Sequence, residues 1–115
     1  MSPSSLEYLH HILDEAVYIE SQTTGLSLDD FLHDDTLKRA FVRSLEVIGE
    51  ATKNMFPELR YKYGHVDWKA LAGMRDRLIH RYFGIDYELV WDVAINKIPV
   101  LRREIQQILE EECSI

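Results

Sequence analysis

Two stretches of the chain place apolar residues at alternating steps of three and four, and that spacing narrows the possible folds more than any other feature. Leu37, Ala40, Phe41, Leu45, Ile48, Ala51 and Met55 form the first set, and Val90, Ala94, Ile98, Leu101, Ile105 and Ile108 the second. Residues so spaced share one face of an α-helix, whereas a strand would scatter them over both faces of a sheet. The first set predicts a core helix from about Thr36 to Met55, stopped by Pro57. Arg39, Arg43, Glu46 and Glu50 fall on its other side, as a solvated face of compensating charges or a face that approaches a partner. Gly49 in mid-helix costs about 1 kcal/mol relative to alanine, which points to a close helix crossing. The second set keeps one phase across Pro99 and predicts a kinked, continuous helix capped by Asp86, with Glu110 to Glu112 fraying at its end.

The first helix is announced by Ser4-x-x-Glu7, a capping box leading into Leu6, Leu9, Leu13, Ala16 and Ile19, and is closed by Gly25. His10 and His11 with Asp14 and Glu15 have spacings that a helix could offer to a metal. Adjacent histidines point to different sides of a helix, however, so these read as surface polarity. Ser27-x-x-Asp30 opens a short segment through Leu32, and the acidic pair Asp34-Asp35 after His33 is placed to cap the next helix. Pro57 to Val66 reads as an irregular link, in which Arg60, Tyr61, Lys62, Tyr63 and His65 either cover one end of the bundle or stack on bases. No segment alternates as a strand would, and there are no repeats or glycine-rich phosphate loops. The expected architecture is all-α: an up-and-down bundle of four main helices with a short fifth, forming one domain over residues 1–115.

Composition bounds the function. An apolar share of 46% fits a globular core, and no apolar run is long enough to span a membrane. With no basic-then-apolar signal segment at the start, a cytoplasmic location is expected. The single cysteine, Cys113, has no local metal or nucleophile pattern around it. A net charge of −7 argues against non-specific grip on long nucleic acid, which rests on many Lys and Arg contacts to phosphate, but allows a compact local site. Lys38, Arg39 and Arg43, Arg60 and Lys62, and Arg75, Arg77 and Arg81 are the local basic groups.

The last of these groups lies in Gly73-Met74-Arg75-Asp76-Arg77-Leu78-Ile79-His80-Arg81-Tyr82-Phe83-Gly84, which reads as a helix begun by Asp67 and ended by Gly84. On a regular helix Trp68, Leu71, Ala72, Met74, Leu78, Ile79, Tyr82 and Phe83 share one wide arc, with Arg75 near its centre. A buried guanidinium must meet a carboxylate, a carbonyl, a partner subunit or an anionic ligand. His80 would stand roughly 140° from Arg75 on the same helix. The two converge only if the helix loosens towards Gly84, or if Arg75 of one chain meets His80 of another.

Arg75-x4-His80-x-Tyr82 resembles the signature of the HEPN superfamily, and more narrowly of the HepT-like toxins. Further matches are Asp29-Asp30-Phe31-Leu32, Ile48-Gly49-Glu50-Ala51, Val66-Asp67-Trp68, and Val90-Trp91 ahead of Ile98-Pro99-x-Leu101. The family often has Asn after the Arg, where this chain has Asp76. The resemblance implies a metal-independent endoribonuclease of a toxin–antitoxin pair, needing no cofactor. Arg75 at the centre of an apolar arc, with its poor angular match to His80 within one chain, predicts a homodimer whose motif helices lie near the two-fold axis. Arg75 and His80 would be catalytic, and Asp76, Arg77 and Arg81 would lie against the RNA. A partner minimal nucleotidyltransferase would attach AMP to Tyr82. The residue types suit this chemistry, because RNA supplies its own nucleophile and the protein need add only a proton-transfer group and a fixed cation. The alternative is a non-catalytic, nucleotide-binding companion subunit of the nucleotidyltransferase.

Overall fold

The computed structural model describes residues 4–80 and 84–113, with His80 described by its backbone. The chain is all-α apart from one antiparallel pair of two-residue strands. Helix α1 (Ser5–Thr23) is capped by Ser4, whose Oγ accepts from Glu7 N at 3.2 Å. It is followed by Gly25 in the left-handed region, at φ 75°. The short α2 (Leu28–Leu32) begins with a complete capping box between Ser27 and Asp30. Asp34 caps α3 (Asp35–Asn54), accepting from Leu37 N at 3.0 Å.

The predicted link after α3 is instead a helix, α4 (Pro57–Lys62), with Pro57 in its first turn. Proline both ends the preceding helix and fits the start of a new one, since its missing N–H would have no partner there. Tyr61 on α4 is 91% exposed, whereas Tyr63 just after it is buried. The Tyr63 hydroxyl donates to Glu112 at 2.6 Å, and Lys62 Nζ to the same carboxylate at 2.7 Å. These bonds tether α4 to the end of the last helix.

That last helix runs continuously over residues 87–113 as α7 (Tyr87–Asp92), one π-turn (Val93–Lys97) and α8 (Ile98–Cys113). Asp86 caps it, accepting from Leu89 N at 3.1 Å. The departure from a regular helix expected at Pro99 is a π-turn: Pro99 has no N–H to donate, and one wider turn, closed by Ile98 N–H to Val93 C=O, accommodates it. Val90, Ala94, Ile98, Leu101, Ile105 and Ile108 are all buried, so the apolar phase survives the wider turn.

Helices α1, α3 and α8 form the frame, with α1 packed on both of the others. Phe31 from α2 is fully buried between Phe41 on α3 and Trp91 on α7, with ring centroids 5.1 and 5.4 Å apart. Glu20 on α1 pairs with Arg102 on α8. The place of a fourth long helix is taken by two one-turn helices, α5 (Trp68–Ala72) and α6 (Met74–Leu78), lying against α3. No helix among the described residues is long and apolar enough to cross a membrane.

Candidate active site

The predicted motif helix is not continuous. Asp67 caps α5 as expected, its Oδ1 accepting from Ala70 N at 3.1 Å, but α5 ends at Gly73 (φ −89°, ψ 7°), which also begins α6. At Ile79 the backbone leaves the helical region altogether (φ −104°, ψ 114°). Strand β1 (Ile79–His80) then pairs with β2 (Gly84–Ile85), Ile79 opposite Ile85 and His80 opposite Gly84. Asp86 N–H donates to Leu78 C=O at 2.9 Å, closing the hairpin onto the end of α6. Gly84 therefore serves a strand, with φ 76°, and does not end a helix. Its conformation is one that residues with a Cβ rarely adopt.

The break has a geometric consequence. On a regular helix Trp68, Leu71, Met74 and Leu78 would span an arc of about 120° that also contains Arg75. With the break at Gly73 those four apolar residues are still buried, while Arg75 is exposed. Trp68 also donates from Nε1 to Tyr63 C=O at 3.0 Å. The seat for this break is Gly49 on α3: a Cβ there would lie 3.0 Å from Leu71 O and 3.9 Å from Met74 Cβ. The predicted close crossing is thus backbone against backbone.

The same break corrects the placement of Arg75. With Met74 and Leu78 turned inward, Arg75, Asp76 and Arg77 occupy the outer side of α6 and are exposed. Arg75 is not at the centre of a buried arc, and no desolvation cost demands a partner for it. Among the described residues none of these three side chains has an ion pair or hydrogen bond. Of the two ways in which Arg75 and His80 could be brought together, the chain shows the loosening of the helix before Gly84. Arg81 and Tyr82, the remaining predicted site residues, and Phe83, assigned to the apolar arc, lie outside the described residues. Of the other basic groups, Lys38 sits 4.6 Å above the Tyr87 ring and 3.3 Å from Asp35, a structural role. On α1, His10 and His11 are both exposed, and the His11 ring meets Tyr8 edge-on.

One feature of this face was not read from the sequence. Between α5–α6 and the π-turn lies an open groove of about 450 Å³, and Arg77 from α6 and Asn96 and Lys97 from the π-turn are in its wall. The signal was present in Pro99, since a proline inside an apolar-periodic helix requires a departure from the regular bonding pattern one turn earlier.

A helical frame that displays Arg75, Asp76 and Arg77 on one exposed turn, followed at once by a strand containing His80, defines a small HEPN-type helical domain. The chain belongs to the HepT-like family, described as ribonuclease HepT-like, whose model matches residues 12–108. It is 49% identical over 105 residues to a protein of Caldanaerobacter subterraneus subsp. tengcongensis named "Putative RNase", covering 91% of this chain and 94% of that one. A protein of Methanocaldococcus jannaschii with the same description is 45% identical over 104 residues, covering 90% of this chain and 86% of its own. The "Probable ribonuclease HepT" of Thermococcus cleftensis is 35% identical over 108 residues, with coverage of 94% and 98%. No solved structure matches the chain significantly.

Proposed function

We propose that this protein is a metal-independent endoribonuclease, the toxin of a toxin–antitoxin pair acting in the cytoplasm, with Arg75 and His80 as its catalytic groups. The observation that carries the reading is the display of Arg75, Asp76 and Arg77 on the outer side of α6, without partners among the described residues, directly before the strand that contains His80. Family membership and the names of the relatives support it. In the proposed reaction His80 takes the proton of a ribose 2'-hydroxyl as the 2'-oxygen bonds to phosphorus. The bond from phosphorus to the 5'-oxygen breaks, and the proton passes to that departing oxygen. Arg75 offsets the extra charge on the phosphoryl oxygens. The products are a 2',3'-cyclic phosphate and a free 5'-hydroxyl. Asp76, Arg77 and Arg81 line the RNA path.

Control is assigned to Tyr82. AMP attached there by a partner nucleotidyltransferase would place bulk and negative charge two residues from His80 and repel RNA phosphate. Tyr82→Phe should still cut RNA and escape modification, which intact-mass spectrometry with the partner and ATP reads directly. Pairing of two copies through this face would cover Ile79, 37% exposed beside the site, and light scattering that shows only monomer at micromolar concentration would refute such pairing. Incubation of the purified protein with total RNA in excess chelator tests the whole reading: cleavage ending in cyclic phosphate supports it, and nucleotide-dependent association without cleavage supports a companion subunit instead.

A further inference from the structure

We infer that the groove between α5–α6 and the π-turn is a subsite for one nucleotide of the RNA strand, next to the nucleotide that is cut. The inference rests on the ribonuclease reading above and adds to it a place, a ligand class and residues. The groove is of a size that holds a small ligand, about 450 Å³. Its floor is apolar: Val66, Leu71, Met74, Val93 and Leu101 contribute to it, and each is buried. Its rim is polar, with His65, Arg77, Asn96, Lys97 and Glu104. A flat apolar floor under a rim of cations and hydrogen-bonding groups suits a nucleobase with its phosphate, because every base has a face that stacks and an edge that needs polar partners.

The charges fit that occupant. Asp67 also lies in the wall, but its Oδ1 is engaged as the cap of α5. Among the described residues Arg77 and Lys97 have no ion pair, so two cations on opposite walls are free to meet phosphate. Asn96 donates its amide N–H to Asp92 at 2.7 Å, which leaves its oxygen, together with the Glu104 carboxylate, to accept from base N–H groups. The π-turn makes this wall. Ile95, Asn96 and Lys97 are three consecutive exposed residues on it. Arg77 links the two places along the chain, since it lies two residues from Arg75 on α6 and also lines the groove. On the inferred path a strand held at Arg75 continues past Arg77 into the groove.

The test is equilibrium binding of a 2'-O-methyl pentaribonucleotide, which has no 2'-hydroxyl proton to lose and cannot be cut by this chemistry, to the full chain and to Lys97→Glu and Val100→Trp. Val100 is 46% exposed at the groove wall, and tryptophan there would fill the groove without replacing a buried side chain. Both variants should bind at least tenfold more weakly, with Lys97→Arg restoring most of the loss. In RNA cleavage both should raise KM while kcat changes less than twofold. Binding and KM within twofold of wild type in both variants, with unchanged circular dichroism, would overturn the subsite. Oligonucleotide binding that depends on Lys97 in a protein that cuts no RNA would keep the subsite and refute the ribonuclease. If both variants instead weakened self-association and left RNA binding intact, the groove would belong to a second copy and the inference would fail.

Discussion

Helix α3 and the stretch from Asp67 to Asp86 are alike in length and in apolar content, yet one is a single rod and the other breaks twice. In α3 the apolar residues keep steps of three and four to the end, so one continuous helix buries them all. In the second stretch one regular helix would carry Arg75 inside the apolar arc of Trp68, Leu71, Met74 and Leu78, and the chain gives up regularity at Gly73 and Ile79, which leaves the four apolar residues buried and Arg75 exposed. The difference shows how this fold makes a site. Each break turns a set of polar residues outward: the one at Gly73 exposes Arg75, Asp76 and Arg77, and the one at Ile79 starts the strand with His80. The rod supplies stability, and the broken stretch carries the proposed site.

The largest expected effects separate these two roles. His80→Ala should lower RNA cleavage by about 10²–10⁴-fold, the usual range for a lost proton-transfer group, and Arg75→Ala should also abolish detectable cleavage. Arg75 is exposed, so its loss should leave the melting temperature within about 2 °C, because exposed substitutions rarely change stability by more than about 0.5 kcal/mol. Thermal melts followed by circular dichroism check this, and a collapse of the Arg75 variant would erase the distinction between the rod and the broken stretch.

Next come the two anchors. Ile48→Ala in α3 should destabilise the whole protein by about 2–5 kcal/mol in urea titration, as full burial of a large aliphatic side chain implies. Leu78→Ala removes an equally buried side chain from a one-turn helix that can partly collapse, and should lie at the lower end of that range. Amide exchange should show the Leu78 loss concentrated in residues 74–86, and equal loss across α3 would contradict a locally held segment.

A smaller effect is expected from Gly49→Ala. Alanine gains about 1 kcal/mol of helix propensity, but its Cβ would press on a backbone carbonyl at 3.0 Å, and overpacking of this kind costs about 1–3 kcal/mol. The net loss should be no more than about 2 kcal/mol, while cleavage falls more than the stability change accounts for, because the displaced backbone leads into Arg75. Unchanged kcat in this variant would show that the crossing does not set the site.

The smallest effect is at the tether of α8. Hydrogen bonds from Lys62 and then Tyr63 hold the Glu112 carboxyl below the usual carboxylate range, and the Glu112 bond, followed by burial, raises the Tyr63 hydroxyl above its usual value. A lowered carboxyl stabilises above its unfolded pKa and loses that contribution as pH falls through the folded value; a raised hydroxyl does so below about pH 10 and loses it as pH rises. The last turn should therefore hold through neutral pH and loosen first in acid, at about pH 4 and below. Tyr63→Phe should speed amide exchange in residues 109–113 at pH 7 with little change in global stability. No change in exchange there would remove the tether from the account.

What was legible in the sequence follows the same division. The rods and their caps at Ser4, Ser27, Asp34, Asp67 and Asp86 could be read because periodicity and capping are local rules, and each cap is observed. The family was legible from the ordered motifs that include Arg75, His80 and Tyr82, and with it a candidate site. Its geometry was not, because placing Arg75 inside rested on extending one helix through Gly73, and only contact with Gly49 of α3 shows why the phase restarts there. The groove depends on the π-turn, whose carbonyl partners are set by Pro99 together with the packing of both flanking helices.

The bare backbone at Gly49 has one more consequence. A side chain in contact would pass its own rotamer changes to whatever it touches, whereas two main chains in contact transmit only the movement of the helix itself. The chain segment leading to Arg75 thus takes its position from a helix of the frame, and substitutions on the outer side of α6 can alter what the surface recognises without altering where that surface stands.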